Sequence, residues 1–251
     1  MENDQLEICL NQMVISIQPG AQAPETVWMI IPSAIQNVPT GLEYLAYLET
    51  VQIHQIKEML EIFTGWETRN KYVLKNANGE QCYYAFEESD CCERCCCGRQ
   101  RGFKIHIVDN FQKEVLTITR EFKCCGNGCG GCCCGSMSCC QQECTVSSPS
   151  MGHLGIVRQS ESCCTSNFDV LDADGRVVFQ IDGPDCCILS GCGDKDFLVS
   201  QKVTVPPTVP NLQISSSDTE RSQRIPRDLD VKLKGVLLGA TFLIDFMQFE
   251  Q

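Results

Sequence analysis

The sequence predicts a mainly β fold, an antiparallel sheet of successive hairpins large enough to curl or close around one C-terminal apolar helix. Three observations predict it. Apolar residues alternate with period two on both sides of Asn/Asp turns at three places along the chain. One segment near the C-terminus is apolar almost all round instead of along one stripe. A length of 251 residues with 43% hydrophobic content is enough for a substantial core.

Residues 1–38 read as an irregular lead-in, because Pro19, Pro24 and Pro32 punctuate them and no period is sustained. Within them the run Val27 to Ile31 is apolar enough to dock on the body, which is expected to span 39–251. From Gly41 the spacing of Leu42, Leu45, Leu48, Ile53, Ile56, Leu60 and Phe63 predicts a helix packed on the core. The period then changes to two. Tyr72 to Leu74 leads through Asn76-Ala77-Asn78-Gly79 into Cys82 to Phe86, and Phe103 to Val108 leads through Asp109-Asn110 into Val115 to Ile118. Phe168 to Leu171 leads through Asp172-Ala173-Asp174-Gly175 into Val177 to Ile181. Each is a strand, an Asn/Asp turn and a strand. Asp172 to Gly175 is read as a hairpin turn and not a calcium loop, since no glutamate closes it.

The segment from Asp228 to Phe249 predicts the central helix, over 229–249. From Gly235 to Ile244 only ten residues in a row are uncharged, about 15 Å of helix against about 30 Å of hydrocarbon. Burial within the sheet therefore explains it better than a membrane span. That burial requires a partner for Asp245 or a raised pKa.

Twenty-one cysteines crowd onto the connections between hairpins, notably over 91–97 and 124–144. A secreted disulfide framework is disfavoured by the clustering and by an acidic start, Met1-Glu2-Asn3-Asp4, where a signal peptide needs base. Two chemistries stay open. The two-residue gaps Cys92/Cys95 and Cys129/Cys132 suit a tetrahedral zinc ion. Reversible thioacylation needs only exposed thiols on a flexible segment, which Gly126, Gly128, Gly130, Gly131 and Gly135 supply.

The net charge of −12 argues against nucleic-acid partners and against purely electrostatic attachment to anionic lipid. Neither a glycine-rich phosphate loop nor an HExxH or GxSxG motif is present, so nucleotide, zincin and hydrolase readings lack their defining residues.

Several motifs in order resemble the phospholipid scramblase family: Pro39-Thr40-Gly41-Leu42-Glu43-Tyr44-Leu45, Thr64-Gly65-Trp66-Glu67-Thr68, Asn70-Lys71-Tyr72, Cys91-Cys92, Ile181-Asp182-Gly183-Pro184 and the closing DLDVKLKGVLLGATFLIDFMQFE. The similarity runs over roughly 39–200 and 226–250. It implies a tubby-like fold, a twelve-stranded antiparallel β-barrel closed around a C-terminal hydrophobic α-helix. It also implies palmitoylation of a central cysteine run, here among Cys129, Cys132, Cys133, Cys134, Cys139 and Cys140. The implied activity is ATP-independent, bidirectional movement of phospholipids between leaflets by a lipoprotein on the cytoplasmic face of the plasma membrane. It is transporter-like and involves no covalent chemistry.

Two departures bear on that expectation. The family carries a calcium motif of the type DADNFGIQFPLDLD, and this chain has Ser217-Asp218-Thr219-Glu220-Arg221-Ser222-Gln223-Arg224-Ile225-Pro226-Arg227-Asp228-Leu229-Asp230. Two acids are lost and three arginines gained, which weakens calcium binding. A shifted register leaves Asp218, Glu220, Asp228 and Asp230 as candidate ligands. Further, the family has strands between Leu198 and Ile225, where this chain has Pro206, Pro207 and Pro210 in a polar stretch. Proline cannot donate to a ladder, so the barrel is expected to be incomplete over 199–225. The rival function is a thioacylated or metal-binding regulatory scaffold, with the proline segment 206–210 as a contact for protein partners.

Overall fold

The computed structural model describes residues 27–30, 32, 35, 38–56, 70–89, 101–123, 141–160, 166–183, 195–202, 212–216 and 220–248. Residues on either side of each Asn/Asp turn alternate in burial, and the three expected hairpins form. They are β2 (Lys71–Lys75) with β3 (Gln81–Glu88), β4 (Phe103–Val108) with β5 (Glu114–Arg120), and β8 (Phe168–Asp172) with β9 (Val177–Asp182). The three turns share one device. Asn76 Oδ1 accepts from the backbone N–H of Asn78 and Glu80, Asp109 Oδ1 from Phe111 and Lys113, and Asp172 Oδ1 from Asp174 and Arg176. The fourth turn residue is left-handed each time, Gly79 (φ 80°), Gln112 (φ 61°) and Gly175 (φ 78°).

The remaining strands are β1 (Thr50–Ile56), β6 (Glu143–Ser148), β7 (Gly152–Gln159), β10 (Lys195–Gln201), β11 (Leu212–Ser216) and β12 (Glu220–Arg224). Every strand pairs antiparallel with its neighbours in sequence, and β1 pairs with β12 to close a twelve-stranded barrel. Apart from apolar residues such as Val73, Tyr84, Phe86, Ile156 and Leu198, most outward positions are polar, among them Gln52, His54, Lys104, His106, Thr117, Thr119, Thr145, Ser147, Asp169 and Gln180. That is the reverse of a barrel that faces lipid with its outer surface.

The inward positions meet the central helix, α2 (Val231–Gln248), whose Val236, Leu237, Leu238, Ala240, Phe242, Leu243, Ile244 and Phe246 are buried. Close approach depends on missing side chains. A Cβ on Gly155 of β7 would stand 2.3 Å from the Leu171 carbonyl oxygen, and one on Gly239 of the helix 2.5 Å from Val146.

Three expectations are corrected or completed. Among the described residues the helix read from Gly41 onward is limited to α1 (Glu43–Tyr47), and β1 begins at Thr50. Val51 and Ile53 alternate inward on a strand bonded on both edges, and the three-residue step from Ile53 to Ile56 that suits a helix here joins an inward position to an outward one. Leu60 and Phe63 lie outside the described residues. The barrel is also complete where strands were not expected. Proline bars a ladder only where it stands, and Pro206, Pro207 and Pro210 fall on the connection, outside the described residues. On either side Phe197, Val199 and Ile214 point inward. The lead-in docks through one parallel bridge, in which Gln81 N–H donates to Val27 O (2.8 Å) and Met29 N–H to Gln81 O (2.9 Å).

Candidate functional site

Because the barrel is a simple meander, alternate connections emerge from the same end. The Asn/Asp turns mark one end, with α1 and the start of α2. The other end collects the connections β3–β4, β5–β6, β7–β8 and β9–β10, which carry five, eight, two and three cysteines. The connections that carry eighteen of the twenty-one cysteines therefore all leave and re-enter the barrel at one rim, although they are separate in sequence. The lipidation candidates Cys129, Cys132, Cys133, Cys134, Cys139 and Cys140 and the zinc candidates Cys92 and Cys95 lie outside the described residues. The two described cysteines, Cys82 and Cys144, are free and buried, and burial pushes each thiol up to about 12. They are core residues and not nucleophiles.

The cysteine-bearing rim has a charged floor. Glu87 is fully buried and pairs with Arg101 Nε at 3.0 Å, while Asn70 Nδ2 donates to its second oxygen at 2.8 Å. Arg101 lies over the Phe246 ring at 5.0 Å, and Phe246 packs on Phe103 with centroids 4.1 Å apart. Arg120 donates to Gln142 Oε1 from Nη2 at 2.7 Å. Asp245 of the helix forms an ion pair with Arg221 of β12, both side chains 5% exposed. These groups fasten the strand ends and the helix C-terminus together. Among the described residues no three His, Cys, Asp or Glu side chains are grouped to hold a metal ion.

At the opposite end Lys234, fully buried, donates its three N–H bonds to the carbonyls of Leu45 (3.1 Å), Ala46 (3.0 Å) and Leu48 (3.0 Å). These are the carbonyls that the C-terminus of α1 leaves without helical partners. Burial pulls the amine down to about 8, against the opposing pull of the Asp228 and Glu49 carboxylates.

Of the calcium candidates, Asp218 lies outside the described residues. Glu220 heads β12 at the cysteine-bearing rim, opposite His54. Asp228 and Asp230 sit beyond the far end of that strand, both exposed, with Asp230 Oδ1 accepting from Lys232 N–H at 2.7 Å as the N-cap of α2. Asp228 and Asp230 are thus neighbours, and Glu220 is not with them. Sequence reading required a partner for Asp245 but assigned Arg221 to a loop. The signal was the alternation of Arg221 and Gln223 before Ile225, hidden because the inward residues are polar. Lys234 carried no signal, since one lysine at a helix start ordinarily faces water.

The scramblase family model matches residues 29–207. Phospholipid scramblase 1 of Homo sapiens is 39% identical over 231 residues, covering 89% of this chain and 70% of its own length. Phospholipid scramblase 2 of Bos taurus is 39% identical over 240 residues, covering 92% of this chain and 78% of its own. Phospholipid scramblase family member 5 of Homo sapiens is 34% identical over 250 residues, covering 94% and 87%. Among solved structures, a protein from Arabidopsis thaliana aligns over 80% of this chain and 96% of its own, with TM-score 0.42 and 11% identity. The family-model match and the relatives 34–39% identical over most of this chain show that it belongs to the scramblase family.

Proposed function

We propose that this chain moves phospholipids between the two leaflets of a membrane in both directions, driven by the lipid gradient alone and without ATP. The similarity to phospholipid scramblase 1 over 89% of the chain is the observation that carries this reading. Slow spontaneous flipping reflects the cost of taking a polar head group through hydrocarbon, so the protein's task is to lower that cost. The path does not run through the barrel, whose interior is filled by α2 and the side chains packed on it. Head groups cross where the protein meets the bilayer.

Among the described residues no helix is long and apolar enough to cross a membrane, and the outer wall of the barrel is mostly polar, with Val73, Tyr84, Phe86 and Leu198 among its apolar exceptions. Attachment is therefore assigned to palmitoyl chains on the cysteine-rich connections, Cys129 to Cys140 foremost. One acyl chain anchors only marginally, whereas two or more hold stably. Collection of these connections on one rim supports several anchors acting together, with the barrel standing on that rim at the cytoplasmic face of the plasma membrane.

The test is transbilayer movement of a fluorescent phospholipid in liposomes containing the purified, acylated chain and no nucleotide. Movement faster than in protein-free liposomes is expected, and hydroxylamine, which cleaves thioesters, is expected to release the protein. No movement from a folded, membrane-bound sample assigns the chain instead to a regulatory binding scaffold, and stoichiometric zinc by elemental analysis would replace acylation at Cys92, Cys95, Cys129 and Cys132.

A further inference from the structure

Residues 220–224 of the segment that matches the family's calcium motif are built into the barrel wall as β12. β12 is hydrogen-bonded along one edge to β1, from Thr50 opposite Arg224 to His54 opposite Glu220, and along the other to β11. An extended strand rises about 3.3 Å per residue, so its five residues separate Glu220 from Arg224 by about 13 Å before the chain reaches Asp228. Calcium ligands stand about 2.3–2.6 Å from the ion, and two of them are therefore within about 5 Å of each other. Glu220 and Asp228 do not fit one ion. Of the three described candidates that leaves Asp228 and Asp230, a pair with one carboxylate committed to capping α2 and with Arg227, Lys232 and Lys234 in its surroundings.

What the strand does instead is visible on its inner face. Alternation turns Arg221 and Gln223 inward, at the positions of Phe and Ile in DADNFGIQFPLDLD. There Thr241 Oγ1 donates to Gln223 Oε1 at 3.2 Å, and the Arg221 guanidinium pairs with the Asp245 carboxylate. Arg221 Nε and Nη1 have no hydrogen-bond partner among the described residues, so Asp245 is the main polar contact of a guanidinium that is almost wholly buried. A carboxylate buried next to the helix C-terminus needs a cation, because both burial and the helix dipole oppose its charge.

We infer that Arg221 is a cation built into the barrel wall, and that this chain binds no calcium in the 220–230 segment. It holds α2 to β12 at all calcium concentrations. The consequence for activity, lipid movement that does not respond to calcium, rests on the proposed function above.

Calorimetric titration of the full chain with calcium, with melting temperatures in calcium and in EDTA, tests the binding half without any lipid assay. No saturable binding below about 1 mM and no shift in melting temperature are expected. A stoichiometric site of tighter affinity that Asp228→Asn abolishes would overturn the inference. Arg221→Met should lower the melting temperature by about 10 °C, or prevent folding, and Arg221→Met with Asp245→Leu should recover most of the loss. An unchanged melting temperature in Arg221→Met, or a double variant no better than the single one, would remove Arg221 from the role. In liposomes, equal movement in calcium and in EGTA is expected, and a stimulation by calcium would count against the inference. A chain that moves no lipid in either condition refutes the proposed function and leaves the titration and the melting data to decide this one.

Discussion

Lys234 is the residue whose charge the fold handles most tightly. Its folded pKa, about 8, lies below its ordinary value of 10.5. Between those values the unfolded chain binds more protons than the folded one, so this group makes the fold more stable as pH rises through the window. Below about pH 8 both states are protonated and the full desolvation cost is present. The stability difference between the wild type and Lys234→Met should therefore shift in favour of the wild type from pH 8 to pH 10, by up to about 3 kcal/mol. Urea midpoints at four pH values measure it, and a flat difference would show that the three carbonyls hold the ammonium form as well as water does. Gln112 offers a simpler case. It stands in the left-handed conformation that Gly79 and Gly175 occupy in the equivalent turns. Gln112→Gly removes that strain and should raise stability by roughly 0.5–1 kcal/mol, less whatever the freer unfolded chain takes back. Chemical denaturation reads the change directly.

At the scale of elements, Gly155 of β7 is enclosed by the neighbouring strand β8 and by Val236 of the helix. A Cβ on Gly155 would meet backbone, the Leu171 carbonyl, which cannot turn aside, whereas one on Gly235 of α2 finds Leu116 at an ordinary 3.4 Å. Gly155→Ala should destabilise by about 2–3 kcal/mol. Gly235→Ala should be neutral or stabilise by up to about 1 kcal/mol, through helix propensity. Thermal melts of the two variants separate the cases, and equal losses would mean that the wall yields at β7. The hairpins around Asn76, Asp109 and Asp172 were legible because their turn residues and their alternation agree. Strands β6 and β7 were not read, since Ser147, Ser148, Gly152, His153 and Gly155 break the apolar alternation that marks a strand. Strand β12 was hidden more thoroughly, because its inward Arg221 and Gln223 meet Asp245 and Thr241, residues of an element not yet placed.

At the scale of the molecule, one all-apolar segment too short for a membrane and a series of hairpins sufficed to anticipate a sheet closed on a helix. Its closure across 199–225 was not legible, for prolines reveal where a strand cannot be and say nothing of the residues on either side. The assembly of candidate residues was legible only in type. Cysteine clustering pointed to sulfur chemistry, but that the connections carrying the clusters start and end at one rim follows from the up-and-down strand order, which no local pattern reports.

That strand order also has a consequence for biosynthesis. The strand that meets β1 and the helix that occupies the interior are both made after the other eleven strands. Until then the growing sheet has two open edges and an unfilled apolar concavity, so a ribosome-bound chain of this kind cannot complete its core early. Folding must wait for the closing residues, and during that wait the chain depends on holding factors to stay out of aggregates.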